Sequence, residues 1–141
     1  RVMEGRRYSD GLHQAIEAAL LEAGIEKSAI DFISAHGTAT IYNDEMEAKA
    51  ITLSGLQQVP VNSLKGYYGH TLGAAGLIET VASVHSLKSN TILPTPGFEV
   101  PGTTHPLNIS QVLQTGVYSN CLKTASGFGG CNAAIVLQKD V

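Results

Sequence analysis

The sequence predicts an α/β fold. An amphipathic helix leads into a short, continuous apolar run, helix and strand then alternate, and two β-rich segments joined by a glycine turn close the chain. In "SDGLHQAIEAALLEAGI" the residues Leu12, Ala15, Ile16, Ala19, Leu20 and Ala23 recur at helical spacing, with Ser9 or Asp10 as N-cap and Gly24 as the stop. "AIDFISA", residues 29–35, is bounded by charge and by His36-Gly37 and reads as a buried strand with His36 at its C-terminal end. A second helix is expected from about Asp44 to Leu56, and "VPVNS" as a short strand. A third helix is expected from Leu72 or Gly73 to Lys88, with Leu77, Val81 and Val84 on one face. "NTILPTPGFEVPGTTHPLN" holds four of the 5 prolines, which calls for an extended path along the surface rather than regular structure. "YSNCLKTAS" and "NAAIVLQ" flank "GFGGC" as two strands joined through a glycine-rich turn, and no internal repeat is found.

At 141 residues and 43% hydrophobic composition, the chain is long enough for one compact domain. A formal charge of -3 with 9 Lys+Arg and no basic run argues against nucleic acid or an anionic membrane as the main partner. Cys121 and Cys131 lack C-x-x-C spacing and suit a reducing compartment, so a cytoplasmic location is expected. No apolar run approaches the ~18–20 residues of a membrane span, and the first residues lack the apolar core of a signal peptide. The chain begins at arginine, and it is expected to be a piece of something longer.

The candidates for chemistry lie where such folds collect reactive groups, in loops at the C-terminal ends of strands. In "HGTAT" the imidazole of His36 stands beside a glycine and the hydroxyls of Thr38 and Thr40, which suits a substrate passing against the backbone and suits a polar turn equally well. "VNSLKGYYGHTLGAAG" places Lys65 and His70 beside small residues that admit either a close helix contact or a ligand. Asp44 and Glu47 have capping-box spacing for the second helix. The five histidines and two cysteines offer no i,i+4 pair and no close Cys/His cluster, so no metal is expected.

Taken in order and with their gaps, "HGTAT…NDEMEAKAI", "LKGYYGHTLGAAGLIE", "ILPT" and "GFGGCNAAIV" resemble the C-terminal half of a β-ketoacyl-acyl-carrier-protein synthase of the decarboxylating, elongating kind. The likeness covers nearly the whole chain. It implies a thiolase-like fold, with residues 1–141 as the C-terminal half of a five-layer αβαβα sandwich. It further implies that His36 and His70 are the two active-site imidazoles, that Lys65 supports them, and that Glu47 pairs with Lys65. Thr38 and Thr40 match threonines that hold a phosphopantetheine arm. Phe128 matches a residue whose backbone N–H helps form an oxyanion hole and whose ring gates the acyl pocket.

The implied reaction is decarboxylative condensation of an acyl thioester with malonyl-acyl carrier protein, requiring no cofactor beyond the carrier's phosphopantetheine. The implied partners are acyl carrier protein, the N-terminal half of the same enzyme and a second copy in a homodimer. Tyr67-Tyr68 and Cys131 depart from residues common in the family and bear on acyl preference, leaving room for a polyene or polyketide pathway. The family's nucleophilic cysteine belongs to the N-terminal half, and neither Cys121 nor Cys131 has its setting, so the chain alone is expected to be inactive. The rival reading is a non-catalytic partner subunit that sets chain length. Retention of His36, Lys65 and His70 favours the enzyme.

Overall fold

The computed structural model describes residues 2–97 and 102–140, with side chains described from residue 9 onward. Helix α1 spans Val2–Ala23 and ends at Gly24, which takes φ +65. Ser9 and Asp10 lie inside this helix rather than at its start, because the preceding stretch, with Met3, Glu4, Arg6 and Arg7, also favours helix. Strand β1, Phe32–Ser34, leads into helix α2, Ile41–Leu53. That helix starts before the expected Asp44: Thr40 occupies the N-cap position in an extended conformation and Asp44 falls in the first turn, so the Asp44/Glu47 capping box does not form. Strand β2, Val61–Asn62, is followed by the single turn α3, Lys65–Tyr68, and a 3₁₀ turn at Leu72–Ala74 opens helix α4, Ala75–Ser89. Asn90, left-handed at φ 53, terminates α4.

Strands β5, Asn120–Ser126, and β6, Asn132–Gln138, complete a four-stranded sheet of order β2-β1-β5-β6. In it β1 runs parallel to β2 and β5, and β6 is antiparallel to β5. Residue alternation along the strands splits the core in two. Ile33 and Leu122 face α1 and α2, where they pack with Leu12, Ile16, Leu20, Ala50 and Ile51. Phe32 and Cys121 face the other way, onto Leu87 of α4 and Ile92. Helices therefore cover both faces of the sheet.

Two expectations are corrected. The proline-rich connection is extended, yet it is part of the packed body. Ile92 is fully buried in β3, Thr91–Ile92, which pairs with β4, Gln114–Thr115. Thr95 N–H donates to Ser110 O, and Ser110 N–H donates to Val61 O. Residues 98–101 of this connection lie outside the described residues. The second correction is the orientation of α4. It buries Ala75, Glu79, Ser83, Ser86 and Leu87 and turns Leu77 and Val81 outward, at 69% and 51% exposure.

Candidate active site

The parallel arrangement ends β1 and β2 on one edge of the sheet, and the loop after each carries one of the singled-out segments. His36 follows β1 after Ala35. The backbone N–H groups of His36 and Gly37 donate to the two Glu47 carboxylate oxygens at 2.9 and 2.7 Å. Thr124 Oγ1 and Asn43 Nδ2 donate to the same carboxylate at 2.9 and 3.3 Å. Four donors on one buried carboxylate pin the end of the strand. Gly37 is required here: its φ is +45, and a Cβ would sit 2.3 Å from Ser63 Oγ, which itself donates to Gly37 O at 3.0 Å. Ala39 at φ 58 and Leu72 at φ 52 are left-handed non-glycine residues in the two histidine-bearing loops, and both tight bends hold sparsely populated backbone.

Lys65, at 8% exposure, reaches from α3 under His36. Its Nζ contacts His36 Nδ1 at 3.2 Å, donates to His36 O at 2.5 Å and donates to Glu79 Oε1 at 2.8 Å. An ammonium has three protons and no lone pair, so Nδ1 of His36 is an acceptor and the ring proton is on Nε2. Burial, then the Lys65 charge, lowers the His36 pKa from 6.5, so the imidazole is neutral at pH 7. His70 is fixed in the same sense by a different donor: the Leu72 N–H donates to its Nδ1 at 3.0 Å, leaving Nε2 to carry the proton. The two rings stand edge to face, 5.4 Å between centroids at 85°.

A cavity of about 600 Å³ opens beside this pair, walled by Gly37, Thr38, Glu47, Ser63, Lys65 and His70, with Thr95 and Pro96 of the proline-rich connection opposite. Asp44 also lines it, and burial followed by the nearby Glu47 raises the pKa of its carboxyl. Thus Lys65, His70, Glu47 and Thr38 come together on the cavity wall, and His36, which is not part of that wall, joins them through its contacts with Lys65, Glu47 and the ring of His70. Thr40 joins them only through its hydroxyl, 2.9 Å from that of Thr38. Phe128 does not join them: its side chain is fully exposed and is absent from the cavity wall.

The expected Lys65–Glu47 pairing is wrong. Glu47 comes from α2, on the α1 side of the sheet, and is occupied by strand-end N–H groups. Lys65 instead pairs with Glu79 of α4, which is 0% exposed. Glu79 is the candidate site residue that the sequence reading missed, and its signal was its isolation as the sole acid in α4. Lys123, the sole charge in β5, was missed for the same reason and lies 3.7 Å from Glu79. Cys121 is no nucleophile, since burial pushes its thiol up to about 12.

A family model of the β-ketoacyl synthase C-terminal domain matches residues 5–99. The chain is 34% identical over 135 residues to the 3-oxoacyl-acyl-carrier-protein synthase 2 of Coxiella burnetii, covering 93% of this chain and 33% of that protein. It is similar to the ishigamide ketosynthase/chain length factor, with 31% identity and TM-score 0.88 over 94% of this chain and 34% of that one. A third similarity is to a type II polyketide ketosynthase solved with its acyl carrier protein and bound to the hexaketide, with 32% identity, TM-score 0.82, and coverage of 94% of this chain and 34% of that one. The chain spans 31% to 33% of the length of the curated relatives it matches. Together with the α/β, thiolase-like architecture, these matches show that the chain belongs to the β-ketoacyl synthase family, as a C-terminal domain.

Proposed function

We propose that this chain supplies the decarboxylation half of a condensing active site. A malonyl thioester carried by acyl carrier protein loses CO₂ there, and the resulting enolate attacks an acyl group held on a cysteine from the remainder of the protein, extending the chain by two carbons. One observation carries this reading: two adjacent imidazoles each have Nδ1 engaged as an acceptor, by Lys65 and by the Leu72 N–H, and so each offers an Nε2–H donor. Decarboxylation moves negative charge onto the thioester oxygen. Donors fixed in advance stabilise charge that develops only in the transition state, and one such donor is worth about 3–4 kcal/mol. A neutral imidazole can serve in this role, because its N–H is a hydrogen-bond donor and its tautomer is fixed before substrate binds. A pantetheine arm is assigned to the cavity of about 600 Å³, whose mainly apolar wall carries the hydroxyl-bearing residues Thr38, Ser63 and Thr95.

The similar structures support the partners. One neighbour is described with its acyl carrier protein and another as a ketosynthase with a chain length factor, so carrier docking and association with a second ketosynthase-like subunit belong to this reading. A cytoplasmic homodimer is part of the proposal. Among the described residues no helix is long and apolar enough to cross a membrane. The chain-length-setting subunit is the second reading, prompted by that same neighbour. The intact Lys65–His36–His70 arrangement favours catalysis over it, since a subunit that only shapes a tunnel has no use for two donors of fixed tautomer.

The test is His70→Ala in the full-length protein, with labelled malonyl carrier as substrate. CO₂ release is expected to fall by roughly 100-fold or more while acyl transfer to the cysteine persists. Undiminished release would overturn the assignment, and a wild-type protein that neither transfers nor decarboxylates would establish the partner-subunit reading.

A further inference from the structure

Lys123 is 2% exposed, sits mid-strand in β5 opposite Ser34 of β1, and has no part in the chemistry described above. Its Nζ donates to the backbone carbonyls of Thr124 at 2.5 Å, Ser34 at 3.3 Å and Ala35 at 3.4 Å, and lies 3.7 Å from Glu79 Oε1. None of the three carbonyl oxygens can donate a hydrogen bond to nitrogen. A neutral amine has two N–H groups and a lone pair, which would face an oxygen, whereas an ammonium fills three carbonyls with three protons and sets its charge against the carboxylate. Burial pulls Lys123 toward the neutral form, and Glu79 and then Glu47 oppose it. Ser34 and Ala35 are the two residues that precede His36, so whatever holds their carbonyls sets where the imidazole starts.

We propose that Lys123 is a positioning residue, a buried cation that clamps the Ser34 and Ala35 carbonyls at the end of β1 beneath His36 and adds its positive charge to that of Lys65 there. The charge count supports this. Lys65 from α3, Glu47 from α2 and the ring of His70 touch His36, and Lys123 from β5 and Glu79 from α4 act on it through their charge. Two lysines balance two carboxylates. Removing Lys123 leaves an excess negative charge around the ring, which favours the imidazolium. Glu79 is the shared counter-ion, which explains why a carboxylate with no exposure at all is kept among small residues.

The inference rests on the decarboxylation reading for its catalytic consequence and is independent of it for its electrostatic one. In the full-length protein with ¹⁵N-labelled lysine, the Lys123 Nζ signal should be that of an ammonium at pH 7, and a neutral amine there overturns the proposal. In Lys123→Met the His36 ring, followed by NMR, should titrate at higher pH than in wild type, and malonyl decarboxylation should fall by up to about 100-fold, the loss expected for a displaced catalytic group. Lys123→Ala should lose activity likewise and recover part of it with methylammonium but not with neutral acetamide. An unmoved His36 titration overturns the proposal whether or not the protein decarboxylates malonyl thioesters. A moved titration in a protein without decarboxylase activity upholds the role of Lys123 and removes the functional reading instead. Where Lys123→Met does not fold, the wild-type ammonium signal decides.

Discussion

Lys65 makes three contacts with three protons, and each has a different consequence: one fixes the His36 tautomer, one ties down its carbonyl, and one reaches Glu79. Glu79 is therefore the residue on which two buried lysines depend. Glu79→Gln removes the carboxylate that both lysines share and should destabilise the full-length protein by about 3–5 kcal/mol, the cost of breaking a buried ion pair from one side, measurable by urea denaturation. His36 gives a pH prediction. Its pKa in the folded state lies below 6.5, so the unfolded chain binds the proton at higher pH than the native one. This stability contribution is constant above 6.5 and is lost as pH falls below it, and decarboxylation should hold through neutrality with its acid limb under pH 6.5. A Lys65→Met variant should shift that limb upward, because the second cause of the depression has been removed. Rate profiles from pH 5 to 8 would show it, and an acid limb unmoved by the substitution would separate Lys65 from His36. The local setting of His36, Lys65 and His70 left a polar turn or a close helix contact as open as a site, and the order and spacing of the family motifs singled the three out; the structure places them in contact. Which carboxylate Lys65 uses was not legible, since Glu47 and Glu79 lie on opposite faces of the sheet and only the folded topology puts one of them in reach.

At the level of elements, both histidines ride on loops held in uncommon backbone conformations, with Ala39 and Leu72 left-handed and Gly37 between them in the contact with Ser63. Gly37→Ala would push a methyl to 2.3 Å from Ser63 Oγ and could be relieved only by moving Ser63 or the strand end that Glu47 holds. We expect it to lower turnover more than stability, with Gly37→Ala/Ser63→Gly restoring part of the rate. Failure of that double variant to recover would locate the strain elsewhere. Helix α4 shows the limit of periodicity. Its spacing of Leu77, Val81 and Val84 marks a single apolar face, and such a face is normally the buried one. Here the opposite face is buried, because Glu79 must reach the two lysines and Ser83 packs beneath the sheet, with its hydroxyl returned to Glu79 O at 2.8 Å. Strands β5 and β6 were read within two residues at each end, since their apolar runs are bounded by the glycine turn that joins them.

For the whole molecule the two faces of α4 imply a neighbour. Leu77, Ile78 and Val81 are exposed at 69%, 38% and 51%, while the inner face of the same helix carries Glu79, Ser83 and Ser86 beside the apolar Ala75 and Leu87. An apolar face left exposed on a helix whose other face is already packed marks a surface that a further layer would cover. The curated relatives are about three times the length of this chain, so most of each relative lies outside the region matched here. We therefore predict that residues 1–141 alone self-associate through α4 and show no condensing activity, and that activity appears only when the remaining portion is present in cis or in trans. Leu77→Ser/Val81→Ser tests the surface directly. In the isolated chain it should reduce association in sedimentation experiments without unfolding the sheet, since neither side chain reaches the described core. In the full-length protein it should instead destabilise, by about 1.5–3 kcal/mol for each side chain that would have been buried. An isolated wild-type chain that is a stable monomer with turnover would refute the prediction. Cys131 would then be the only described thiol left to act as nucleophile, because the Cys121 thiol is buried and pushed up to about 12.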